Sequence, residues 1–511
     1  MTSAKLVKLS SPKKKTTNGT ITLDEIVDAA CAWAEGSQQN PTPPALDALA
    51  RALLQKGAPE LAMRLPDAIA KHYLHPGIER SIQALIFARI AASGHDDALS
   101  RATALIEAVE ADWNLAMETG SPPVDIDNLI AARVILTTAA DRSISEIEPL
   151  VFRAIQHGTD SLDRSFETLL ELGHLDHATD WFLRHAEASP RPSRATKLIG
   201  ALVKELVASG QPDRALAVHA HCADHLKHSP VFFAAEEIGR LDMPTIESFF
   251  AVANSAHEAL ARGLLAAQRT EEAVAFYESH TSSVLSHLGF ALLANDEAAI
   301  ARALAAPTPD GKADVKARYL FKAGRIDLDE ALDTTLSAHP EHTTSLVDGL
   351  VGLLSELATR GDRDDIDRVI SEIDRAWATR SLSSFDEGVH TTCRTGELAA
   401  RAAAYTALED TKAANSALKE AAAAAAKGNT KSRKNSAFRD LVKAALRMDR
   451  PLDAYRAAKK ISKNDRNLLV TDVVRGFLPE DPAGAFRALG LTDFPPGRLP
   501  VLPEIVAAVD S

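Results

Sequence analysis

The sequence predicts an all-α protein, an αα-hairpin solenoid of about 12–13 irregular helical hairpins. Three observations predict it. Hydrophobic residues make up 46 % of the chain and aromatics only 5 %, with alanine abundant throughout. Alanine has the highest helix propensity and lets helices approach closely, whereas strands favour β-branched and aromatic residues. The 511 residues exceed what one compact core usually holds. Turn signals also recur, at a mean interval of about 35 residues, over most of the chain.

Residues 1–20, MTSAKLVKLSSPKKKTTNGT, hold five lysines and no acid and read as a disordered basic arm. No apolar stretch follows them, so they do not read as a secretory signal. Residues 21–306 read as an N-terminal helical-repeat half and 313–490 as a C-terminal half. The proline-containing APTPDGK at 306–312 is the expected break between them. Residues 491–511, with FPPGRLPVLPE at 494–504, read as a proline-rich tail. SQQNPTPP at 37–44, TGSPPVDID at 119–127 and SPRPSR at 189–194 read as loops.

The repeat is visible in the spacing. In LGHLDHATDWFLRHAEASP, Gly173 has Leu169 four before it, Ala178 five after, Phe182 nine after and Pro190 seventeen after. Gly210 has Leu206 at minus four and Ala215 at plus five. Gln268 takes the glycine place in LARGLLAAQRTEEAVAFYESH, with Leu264, Ala273 and Tyr277 in register. Asp449 takes it in LVKAALRMDRPLDAYRAAKKI, with Ala454 at plus five. Marked this way, thirteen turns fall near residues 57, 94, 142, 173, 210, 241, 268, 294, 324, 361, 409, 449 and 480, spaced 26 to 48 apart. The pattern resembles the tetratricopeptide repeat, whose period is about 34 residues, over roughly residues 45–490. That family's tryptophan near the repeat start is missing and its glycine is often replaced. The resemblance implies a TPR-like superhelix that holds protein or peptide partners. Independently of it, each hairpin is too short to bury its own apolar face, and stacking buries that face between neighbours. Asp176, Asp213, Thr270 and Asp296 stand where a short polar side chain can cap the second helix of a hairpin.

Little in the sequence points to chemistry. His174 falls in a turn, while His177 and His185 lie on the following helix, over about 10 Å apart and too far to share one ion. His221, Cys222 and His225 in VHAHCADHLKH form the best-spaced set for zinc, since histidines four apart on a helix can reach one ion. Cys222 as a small core residue is the plainer reading, and no metal or other cofactor is expected. HEALA at 257–261 begins like a zinc-protease motif but has Ala261 in place of the second histidine. HTTCRTGELAAR at 390–401 has Ala399 where a phosphatase loop needs arginine. DGK at 310–312 lacks the upstream glycine of a phosphate loop, and neither GxSxG nor a dinucleotide fingerprint occurs. No enzymatic activity is expected.

Charge is the remaining signal. The net charge is −13, which disfavours general nucleic-acid affinity, yet residues 427–466 hold thirteen Lys and Arg against four Asp. Within that segment Lys431, Arg433 and Lys434 are expected in a loop. Arg439, Lys443 and Arg447 are expected on one side of a helix, and Arg456, Lys459, Lys460 and Lys463 on the next helix. Together they read as a docking surface for an acidic partner. Only Phe438 and Tyr455 accompany them, so base stacking is disfavoured while phosphate-backbone contact is not. The three cysteines, Cys31, Cys222 and Cys393, are dispersed, which fits a reducing compartment. No run of about eighteen apolar residues occurs. The expected protein is a cytoplasmic, non-enzymatic scaffold binding partner proteins or peptides. The alternative is a nucleic-acid-binding helical-repeat protein that uses the 427–466 segment.

Overall fold

The computed structural model describes residues 21–36, 43–69, 76–119, 125–157, 162–188, 192–228, 257–281, 283–308, 312–339, 342–379, 384–428, 430–467, 469–491 and 499–509. The basic arm at 1–20 and the turn near 241 lie outside them. Every regular element among the described residues is a helix. The fold class is all-α, of the helical-repeat solenoid kind. No helix among the described residues is long and apolar enough to cross a membrane.

The hairpin register follows from backbone conformation at the turns. Gly173 (φ 78°) separates helices Asp163–Glu171 and Leu175–Ala188, and Gly210 (φ 73°) separates Pro192–Ala208 and Pro212–His228. Gln268 (φ 62°) and Asp449 (φ 54°) adopt the same left-handed conformation, although an L side chain disfavours it. In each turn this residue's N–H bonds three residues back and the next N–H bonds five back. Gly210 donates to the Val207 carbonyl at 3.0 Å and Gln211 to Leu206 at 2.8 Å, while Gln268 donates to Leu265 and Arg269 to Leu264, both at 2.9 Å. This Schellman arrangement satisfies carbonyls that a helix end leaves open. Positive φ recurs at Gly57, Gly94, Asp141, Asn295, Gly324, Gly361, Glu409 and Asp449, so eleven of the thirteen expected turns carry it within one residue. The turn at 480 closes without it, and Asp481 there caps the next helix by accepting from the Gly484 N–H at 2.7 Å.

Burial follows the same register. Leu53, Leu169, Leu206, Leu264 and Leu357 at minus four are fully buried. Ala62, Ala178, Ala215, Ala273, Ala414 and Ala454 at plus five are buried as well. Small side chains at plus five let paired helices approach. The caps differ from expectation. Asp296 does cap its helix, accepting from the Ala299 N–H at 3.0 Å. Thr270 instead begins a helix whose N-cap, Arg269, makes no side-chain cap. Asp176 and Asp213 sit in first helical turns and pair with Arg214 and Arg269 of later hairpins. Negative charge in a first turn suits the helix dipole, so each carboxylate serves its helix and links two repeats.

The described chain divides into two compact units, residues 1–72 with 339–511, and residues 73–338. In the first, helices Leu23–Gly36 and Pro43–Gln55 pack against Leu502–Ala508 from the opposite end of the chain. The Trp33 and Phe486 rings stack with centroids 6.3 Å apart. The 491–511 segment is therefore more than a proline-rich tail. Pro503 occupies a first-turn position, where its missing N–H is no loss, and Leu502, Ile505 and Val506 are buried.

In the second unit, the expected break at 306–312 does not divide the core. Tyr319 and Leu320 pack against the same apolar cluster as Leu264, Leu288 and Ala291, which precede that loop. Asp127, in the first turn of helix Ile126–Ala139, reaches across to the start of helix Asp163–Glu171. It accepts from the Arg164 and Ser165 N–H groups, both at 2.8 Å, and from Ser165 Oγ at 2.6 Å.

Candidate functional site

The basic segment begins with a helix where a loop was expected. Helix Lys431–Arg447 starts directly after Thr430, whose hydroxyl accepts from the Arg433 N–H at 3.3 Å. Lys431, Arg433 and Lys434 thus stand in its first turn, because the Thr430 cap outweighs the glycine and asparagines around it. The next expected helix is split. Helix Pro451–Ala458 ends before Lys459 and Lys460, and a short helix, Lys463–Arg466, follows.

Asn435 explains this break. It is buried inside the longer helix, donates to Ser462 Oγ at 3.0 Å and to Asp465 Oδ2 at 2.5 Å, and accepts from the Ser462 N–H at 3.1 Å. Those bonds satisfy a buried amide and hold the chain reversal at 460–462 against the start of the 431–447 helix. The result is a cleft of about 300 Å³ lined by Thr430, Lys431, Lys434, Asn435, Lys460 and Ser462. Among the described residues none of the ammonium groups of Lys431, Lys434 and Lys460 pairs with a carboxylate.

The other expected basic residues with described side chains do not line this cleft. Lys443 and Arg447 are exposed farther along the helix. Arg439 is half-buried and lies 3.7 Å from Asp465. Arg456 pairs with Asp453 at 3.2 Å, and the Lys459 ammonium sits 4.7 Å from the Tyr455 ring centroid. The Lys463 side chain lies outside the described residues.

The expected metal set fares differently. Helix Pro212–His228 carries His221, Cys222 and His225, but those side chains also lie outside the described residues. The structure brings together three other histidines. His219 is on that same helix, His257 on a helix over residues 257–266, and His280 ends helix Thr270–His280. One ligand atom from each lies within 4.8 Å of the other two. The ring centroids are 4.8 to 5.0 Å apart, and Phe276 stacks on His280 at 4.3 Å. Burial, reinforced by the neighbouring imidazoles, holds His219 and His257 at about 4. Both are therefore neutral at pH 7. The missed signal was positional, because His219 is nine residues after Gly210, where other hairpins place the buried Phe182 or the partly buried Tyr277 against the core. His174 and His177 are near each other too, with centroids 6.2 Å apart, and His174 Nε2 is 2.8 Å from Thr138 Oγ1.

HTTCRTGELAAR lies within one continuous helix, Ser384–Ala407, which cannot form a phosphate-cradling loop. Cys393 Sγ there lies 3.2 Å from Asp348 Oδ1.

No family model matches this chain. No curated protein matches it either. One solved structure similar to it is described as a "Circular tandem repeat protein with novel repeat topology and enhanced subunit contact surfaces". The two share 15 % identity over 94 % of this chain and 96 % of that one, with a TM-score of 0.13.

Proposed function

We propose that this chain is a non-enzymatic helical-repeat scaffold of tetratricopeptide type, working in the cytoplasm, that holds an acidic segment of a partner protein in the Lys431–Lys434–Lys460 cleft. One observation carries the reading: three lysines that have no carboxylate partner among the described residues converge on the start of a 17-residue helix. The open N–H groups of a helix N-terminus add positive potential to that of the lysines. A carboxylate-rich peptide matches this cleft in charge and size. Aromatic side chains, which would stack nucleic-acid bases, do not line it.

The test is fluorescence anisotropy with a labelled Asp/Glu-rich peptide and, in parallel, a random-sequence RNA, each at low and moderate salt. The proposal expects the peptide to bind the parent and to lose at least tenfold in affinity with Lys431→Glu, Lys434→Glu and Lys460→Glu combined, at unchanged helicity. Binding of RNA alone, with a steep salt dependence, would replace the partner class. Peptide binding that survives the triple reversal would move the site elsewhere.

A further inference from the structure

We infer that His219, His257 and His280 form a binding site for one divalent transition-metal ion of the zinc class. The three residues come from three separate helices, so the fold itself assembles them. Zinc–imidazole bonds of about 2.0–2.1 Å in a tetrahedron place nitrogens about 3.3 Å apart. With the ligand atoms within 4.8 Å of one another, ring rotations of about 1 Å close the remaining gap.

The hydrogen bonds point the same way. His257 Nδ1 is buried and, among the described residues, has no hydrogen-bond partner, an arrangement that costs free energy unless something takes its lone pair. His280 Nδ1 lies 2.8 Å from both the Phe276 carbonyl and Ser279 Oγ. A proton donated there leaves the lone pair on Nε2. A ligand histidine is ordinarily oriented in this way, with its far N–H held by a carbonyl. His280 is exposed, which gives an ion a route from solvent. Three imidazoles leave a fourth position for water or for a group brought by a partner.

Packing alone gives a weaker account. Phe276 lies edge-on to both His219 and His257, so the three rings do belong to an aromatic cluster. Apolar rings would fill that space without burying an unpartnered nitrogen.

The experiment is calorimetric titration of the full, untagged, chelator-treated chain with Zn²⁺, repeated with Co²⁺ to read visible absorption bands of tetrahedral coordination. The expected result is one tight site and a Zn²⁺-dependent rise in melting temperature that chelator reverses. His257→Ala and His280→Gln should each weaken that site at least tenfold. His174→Gln, which removes the other close histidine pair, and His221→Gln should leave it intact. His280 is exposed, so its variant reports on binding even where His257→Ala unfolds the protein. Absence of a stoichiometric site in the parent overturns the inference. So does binding that persists in His280→Gln or disappears in His221→Gln.

Discussion

The Lys56 ammonium donates a hydrogen bond to the Val509 carbonyl at 2.8 Å, joining residues 453 positions apart. Around that bond the last helix, Leu502–Ala508, lies on the second hairpin element, Pro43–Gln55. An end repeat of an open stack must present a polar outer face. Here the first and last elements cover one another within one compact unit. Full burial of each large aliphatic side chain contributes about 1.5–3 kcal/mol, and Leu502, Ile505 and Val506 are all buried. Deleting residues 499–511 is expected to accelerate amide exchange in helix 43–55 and to leave protection in the 73–338 unit unchanged. Ile505→Ala should act in the same direction, at about 2–5 kcal/mol. Unaltered exchange in helix 43–55 after the deletion would show that this contact adds nothing to stability.

The hairpins were legible because the turn requirement is local. A left-handed residue, an apolar residue four before it and a small residue five after it make a pattern that survives replacement of glycine by Gln268 or Asp449. Contact between chain ends leaves no comparable pattern, so residues 491–511 looked like a tail. The basic segment was visible as charge, but its cleft depends on Asn435 reaching Ser462 across 27 positions. Of the expected residues whose side chains are described, Lys431, Lys434 and Lys460 line it. Among the histidines, the four-residue spacing in VHAHCADHLKH drew attention to His221 and His225. The cluster instead uses His219, which occupies a core position of the repeat and meets partners 38 and 61 residues on.

The turn conformation itself can be tested by exchange of residues. At Gly210 an added Cβ would meet nothing within 4 Å, so Gly210→Ala carries a purely conformational cost. Left-handed geometry costs an L residue roughly 1–2 kcal/mol, and the urea midpoint should fall accordingly. The reverse changes, Gln268→Gly and Asp449→Gly, should raise it by up to about 1 kcal/mol, because both positions now hold that strain at φ 62° and 54°. Asn295→Gly should gain less, since asparagine tolerates this region better. Opposite signs at Gly210 and Gln268 are the decisive outcome.

Ala215 and Ala273 have no exposed surface and stand at plus five from the turns at Gly210 and Gln268. Leucine at either place adds three carbons where two helices approach. Ala215→Leu and Ala273→Leu should each cost about 1–3 kcal/mol through displaced neighbours. Thermal melts of both variants check this. Parent-like melting of the pair would place the helix crossings elsewhere.

Asp127 gives the fold a pH dependence whose sign is opposite to that of an ion-paired carboxylate. Burial raises its carboxyl to about 7, against the lowering effect of the Ser165 hydroxyl and of the Arg164 and Ser165 N–H groups, with the Asp125 charge adding to the rise. Unfolded, it titrates near 3.9. Between these values the folded state holds the extra proton. This contribution to stability is therefore fully present below about pH 4 and is lost as pH rises towards 7, beyond which it is flat. At 1.36 kcal/mol per pKa unit the ceiling is about 4 kcal/mol. Asp127→Asn removes the titration but keeps a planar group of similar size. Urea denaturation from pH 4 to 8 should show a component in the parent, falling between pH 4 and 7, that the variant lacks. An unchanged pH slope in Asp127→Asn would mean that the three hydrogen bonds hold the carboxylate ionised throughout that range. In that case the link between the 126–139 and 163–171 helices is an anionic helix cap.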